Sequence, residues 1–117
     1  MQPNAQQMLD IESTLQRLKG DRGFLHTLFR VFLDDLPKKI NTLEKAFQDG
    51  DLETIQHAAH SLRGACATIG ADRLRDASSL VEHVSAGSSP TQQTATLKQL
   101  KELAHELSVR LRQEIEG

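Results

Sequence analysis

The sequence predicts an all-α fold: an antiparallel, up-down four-helix bundle with an additional short N-terminal cover helix, in one domain over residues 1–117. Three observations predict it. Apolar residues recur at spacings of three and four along five separate stretches, the period of a helix with one buried face. Brief connections bearing Gly, Asp or Ser separate these stretches, and short connections favour antiparallel neighbours. The composition is rich in Leu, Ala, Glu, Gln and Arg and poor in β-branched runs.

Each element has its own signals. Residues 1–4 are expected to fray. Over residues 5–19, Met8, Ile11, Leu15 and Leu18 make a narrow apolar stripe closed by Gly20. That stripe is too weak for a core element and suits a helix that lids one end of the bundle. Asp21 is the expected N-cap of a second helix reaching about residue 48, with Leu25, Phe29, Phe32, Leu36, Ile40, Leu43 and Phe47 inward. Pro37 lies inside it, where proline removes a backbone hydrogen bond and crowds the preceding turn. One continuous helix with a kink is expected there, the alternative being two helices. Phe24, Leu28, Val31 and Leu33 fall off the main stripe; some should pack under the first helix and others stay exposed as a partner patch.

Gly50-Asp51 stops one helix and caps the next, over residues 51–69, with Gly70 just past its end. Leu52, Ile55, Ala59, Leu62, Cys66 and Ile69 form its buried face. A shorter helix over residues 72–85 turns Leu74, Ala77, Val81 and Val84 inward. Ala86-Gly87-Ser88-Ser89 is a loop, and Ser89 caps a final helix with Pro90 at its first position. Leu97, Leu100, Ala104, Leu107 and Leu111 line one face of that helix.

Composition narrows the function. The net charge of −2 argues against nucleic acid, which favours a basic patch. Four Phe and no Trp or Tyr leave little for base stacking. A single cysteine excludes an internal disulfide and a Cys-based zinc cluster, and fits a cytoplasmic setting. No apolar run approaches the ~20 residues needed to span a membrane. No glycine-rich phosphate loop or nucleotide-binding pattern is present, so the chain is not expected to bind ATP or to be an enzyme in its own right.

The informative stripe is the outward face of the third helix: Gln56, His60, Gly64 and Ala67, whose side chains shrink after the histidine. A mid-helix glycine costs roughly 1 kcal/mol relative to alanine. On a solvent-facing side, access explains it: a missing side chain one turn from His60 lets another molecule come close. Arg63 lies within the same turn. A neutral imidazole, with an ordinary pKa of about 6.5, keeps one lone pair that can attack a phosphoryl group. A nearby cation would stabilise the charge on the transferring oxygens. His60 sits mid-helix, so no helix N-terminus is available to hold a phosphate.

His60-Ser61-Leu62-Arg63-Gly64, followed by Ile69-Gly70-Ala71, resembles the signature of histidine-containing phosphotransfer (HPt) domains: H-x-L-[KR]-G, four variable residues, an aliphatic residue, then Gly-Ala. Val81-Glu82 resembles the family's L-E pair one helix later. The resemblance implies a phosphorelay intermediate. His60 would accept a phosphoryl group, on the ring nitrogen remote from the backbone, from a receiver-domain aspartate and pass it to another response-regulator receiver. Arg63 would stabilise charge. Gln56, His57, Gly64, Ala67 and Leu33 would contact the partner. It implies no cofactor in this chain, Mg²⁺ on the partner receiver, and a hybrid sensor kinase as a further partner. The domain itself is expected to be a monomer without membrane contact.

Other readings of these residues stay open at this stage. The fold also suits a non-catalytic helical adaptor or docking module. His57 and His60, spaced i, i+3, could share a metal ion, although no carboxylate supports them on the exposed stripe. Arg63 could be a solvated helix charge. Glu82 could approach His60 or be ordinary surface charge. His26, His83 and His105 have no motif around them, and Cys66 reads as a small core residue.

Overall fold

The computed structural model describes residues 7–84 and 87–117. Five helices follow one another: α1 Ile11–Arg17, α2 Arg22–Asp49, α3 Leu52–Ile69, α4 Asp72–Glu82 and α5 Pro90–Glu116. Among the described residues there is no strand. The four longer helices close a ring, with α2 against α3 and α5, and α4 against α3 and α5. Two residues, Gly50-Asp51 and Gly70-Ala71, link α2 to α3 and α3 to α4. A link that short cannot return along a helix, so these packed neighbours run antiparallel.

Local chemistry sets the boundaries. The carboxylates of Asp21 and Asp51 accept the backbone N–H of Phe24 at 3.0 Å and Thr54 at 3.1 Å. Each satisfies an N–H that the start of a helix leaves without an internal partner. The Asp51 bonds, including one from the Thr54 hydroxyl, hold its carboxyl below the usual carboxylate range. Ser89 and Gln92 form a reciprocal capping box, with Pro90 in the first turn. Gly50 and Gly70 end α2 and α3 in the left-handed region, at φ +67° and +78°. Pro37 lies within a continuous α2, so the break into two helices does not occur.

The core follows the predicted stripes, except that Leu52, in the first turn of α3, is half-buried outside it and Leu97 is half-buried against it. Leu25, Phe29, Phe32, Leu36 and Leu43 of α2 are buried, while Ile40 and Phe47 are half-buried against them. On α3, Ile55, Ala59, Leu62, Cys66 and Ile69 are each at most 3% exposed. A large apolar side chain buried so fully stabilises by about 1.5–3 kcal/mol. Leu74, Ala77, Val81 and Val84 complete the α4 side, and Leu100, Ala104, Leu107 and Leu111 the α5 side.

The first helix differs from expectation. It begins at Ile11, not residue 5, because Asp10 caps it by accepting the Ser13 N–H at 3.1 Å. The expected fraying of residues 1–4 and the first two residues of the expected helix lie outside the described residues. Leu9, just before the cap, is buried in the core, and Thr14 is fully buried. Arg17 reaches from α1 to the carbonyls of Ala67 and Thr68 at 3.3 and 3.4 Å. The Asp10 N–H donates to Gly70 O at 2.8 Å. α1 therefore fastens onto the C-terminal end of α3. The fourth helix ends at Glu82, three residues before the expected limit, with His83 as its cap; Ser85 and Ala86 lie outside the described residues.

Candidate functional site

His60 stands in the middle of α3 with its side chain 65% exposed. It occupies the face opposite Ala59 and Leu62, which are both fully buried. Two charged neighbours converge on one edge of its ring. Nδ1 lies 2.8 Å from Glu82 Oε2, and Arg63 Nη2 lies 3.0 Å from the same Nδ1. Arg63 Nε in turn faces Glu82 Oε1 at 3.1 Å. That oxygen is buried and meets Arg63 as an ion pair without a hydrogen bond.

One nitrogen cannot donate to Glu82 and accept from Arg63 at once. A deprotonated Nδ1 would set its lone pair against a carboxylate oxygen, so the Glu82 contact requires the proton on Nδ1. The Arg63 contact is then an ion-pair neighbour to Glu82. In the neutral ring the lone pair sits on Nε2, on the side away from α4. Ion pairs as exposed as these contribute about 0–1 kcal/mol to stability. The cluster orients a ring far more than it holds the fold together.

The residue types alone leave Glu82 open between a neighbour of His60 and ordinary surface charge, yet helix register points to it. His60 lies ten residues before Gly70, and Glu82 lies ten residues after Asp72. At about 1.5 Å per residue, both stand ~15 Å from the same tight turn, on packed antiparallel helices.

The other expected site residues are placed less uniformly. Gly64 is exposed, and a Cβ built there would meet no atom within 4 Å. Ala67 is exposed one turn further on. Gln56 is exposed but ties α3 to the end of α4, donating to Val84 O at 3.5 Å. His57 lines a shallow hollow with Thr42 and Thr54 and is not part of the His60 cluster. Leu33 is half-buried against the core, whereas Phe24 and Val31 are 48% and 53% exposed and form the open apolar strip of α2. Among the described residues, no group of three or more His, Cys, Asp or Glu is arranged to hold a metal ion. Cys66 is buried, and burial pushes its thiol up to about 12, against smaller opposing effects of Ser78 and Arg75. It is an inert core residue. No helix among the described residues is long and apolar enough to cross a membrane.

A family model described as the Hpt domain matches residues 27–116, from the second turn of α2 to the end of α5. The chain belongs to the Hpt domain family. The crystal structure of histidine-containing phosphotransfer protein B (HptB) from Pseudomonas aeruginosa PAO1 shares the fold, with a TM-score of 0.82 and 23% identity over 93% of this chain and 95% of that one. No curated protein matches the chain. The Hpt match contains the whole His60 cluster, while α1 and the cap at Asp21 lie before it.

Proposed function

We propose that this Hpt domain is a phosphorelay intermediate. It takes a phosphoryl group onto His60 Nε2 from the phosphoaspartate of a receiver domain, free or within a hybrid sensor kinase, and passes it to another receiver. The observation that carries this reading is the 2.8 Å contact of Nδ1 with Glu82, which leaves the Nε2 lone pair for the solvent side. Membership of the Hpt family and the likeness to HptB support it.

The step balances without an external base. The Nε2 lone pair forms the N–P bond as the P–O bond to the aspartate breaks, and the aspartate leaves as its carboxylate. The Nδ1 proton stays in place, the ring becomes positive, and the Glu82 carboxylate offsets that charge. Arg63 holds Glu82 at rest and, on its long stem, turns toward the phosphoryl oxygens once they arrive. Mg²⁺ and the rest of the apparatus belong to the receiver. The bare backbone at Gly64 lets the receiver's active site close over the ring, and closure excludes the water that would hydrolyse the intermediate.

Labelling tests the reading. Receiver domains of the source organism, phosphorylated and then mixed with the wild-type protein, should yield acid-labile, base-stable label. His60→Gln should carry none, and Glu82→Gln should slow labelling about tenfold or more. Label persisting on His60→Gln, or none on the folded wild type with any receiver, would overturn it.

A further inference from the structure

The turn of α4 that carries Glu82 is also its last. Glu82 ends the helix and His83 caps it. A helix end is where backbone carbonyls lose their internal partners and where fraying starts. Two ties hold this end. Within the helix, His83 Nδ1 donates to Ser79 O at 2.6 Å. A carbonyl only accepts, so that ring nitrogen carries the proton. Across to α3, the Gln56 amide donates from Nε2 to Val84 O at 3.5 Å. Val81 and Val84 are buried, at 0% and 6% exposure, and hold the inner side of the turn. On the outer side, toward His60, the tie is Gln56.

Register places that tie beside the site. Gln56 precedes His60 by four residues, about one turn, and Val84 follows Glu82 by two. On antiparallel α3 and α4, the Gln56–Val84 contact therefore stands about one turn beyond the His60–Glu82 contact, further from Gly70-Ala71. Arg63 also crosses to Glu82, at 3.1 Å, but as an ion pair between side chains 40% and 21% exposed. Such a pair is weak and can follow a backbone that moves. Gln56 is different because it holds the main chain itself. Its bond is long, so losing it loosens the end of α4 without breaking the helix.

We infer that Gln56 is a positioning residue: by holding Val84 it sets the level of Glu82 against His60 Nδ1, and through Glu82 the tautomer of the ring. This gives Gln56 a role other than partner contact, and it rests on the phosphotransfer reading above for its kinetic consequence alone. When the end of α4 loosens, the carboxylate spends less time at Nδ1. The proton is then shared with Nε2, and a smaller fraction of molecules keeps the Nε2 lone pair free for attack. Chemistry slows, while affinity for the receiver stays the same.

The test reads the ring before the reaction. In protein labelled with 15N-histidine, at about pH 8.5, above the ordinary histidine range, ring nitrogen shifts report how the proton divides between Nδ1 and Nε2. His60→Gln assigns the His60 signals. Gln56→Met, which keeps the length of the side chain and removes the donor, should move them toward the Nε2–H form. Gln56→Lys, which restores a donor, should move them back. In transfer from a phosphorylated receiver, Gln56→Met should lower kcat about three- to tenfold, the range of one hydrogen bond, with KM nearly unchanged. Combined with Glu82→Ala, it should cost nothing further. Unchanged ring signals in Gln56→Met, a loss confined to KM, or an equal further loss in the Glu82→Ala background would each overturn the inference while leaving His60 labelling intact. Absence of label on folded wild type would overturn the phosphotransfer reading, and the ring signals would still decide the role of Gln56.

Discussion

Gly64 and Gly70 stand six residues apart in one motif and do opposite things. Gly64 is exposed in mid-helix, and a Cβ added there would touch nothing within 4 Å. Gly70 is buried at the helix end with φ +78°, where a Cβ would lie 2.5 Å from Thr14 Oγ1 and 2.7 Å from Asp10 O. The first glycine leaves room for a molecule outside the chain; the second leaves room for α1. Only Gly70 is explained by the fold. Gly64 weakens its own helix and serves no contact of the fold, and the partner proposed above is what would account for it.

The sharpest way to break this contrast is Gly70→Ala. The left-handed backbone costs an ordinary residue about 1–2 kcal/mol, and the clash with Asp10 backbone adds about 1–3 kcal/mol more. Denaturant unfolding should show the sum. A loss under about 1 kcal/mol would mean that α1 yields easily and does not depend on this close approach. Gly64→Leu comes next. Phosphoryl transfer should fall at least about tenfold, equivalent to about 1.4 kcal/mol in the barrier, with thermal stability undiminished. Unimpaired transfer would remove the partner explanation of Gly64. The smallest effect is the most pointed: Gly64→Ala should make the protein more stable by about 0.5–1 kcal/mol. Destabilisation instead would show that Gly64 serves the fold after all.

Most of the fold was legible because its signals are local. The caps at Asp21, Asp51 and Ser89, the stops at Gly50 and Gly70, and the stripes of α2 to α5 are written within a few residues of where they act. What was missed is set by distant partners. Asp10 caps α1 by a local bond, but the seat of α1 on the bundle depends on Leu9 turning into the core and on Arg17 finding a carbonyl 50 residues away, which no periodicity within residues 5–19 encodes. The site divides in the same way. Gly64 stood out because glycine is unusual on an exposed helical face, and His60 through its spacing to Gly64 and Arg63 within one motif. Glu82 comes from another helix, so its meeting with α3 depends on how the two helices are rotated about their axes. Of the off-stripe residues of α2, Leu33 is half-buried against the core, and Phe24 and Val31 face outward.

The tight α3–α4 turn has one further consequence. Because Glu82 meets His60 by counting equal arms from the α3–α4 turn, the site is built like marks on a folded ruler. Its level along the bundle is a free choice, but the two arms at that fold must change together. One residue inserted in α4 between Asp72 and Glu82 would lift the carboxylate by about 1.5 Å and rotate it by about 100°, uncoupling it from His60 while the stripes on either side still read as helices. Homologous chains of this architecture can therefore vary in helix length and still align their sites, provided that arm lengths on the two sides of a turn vary as a pair.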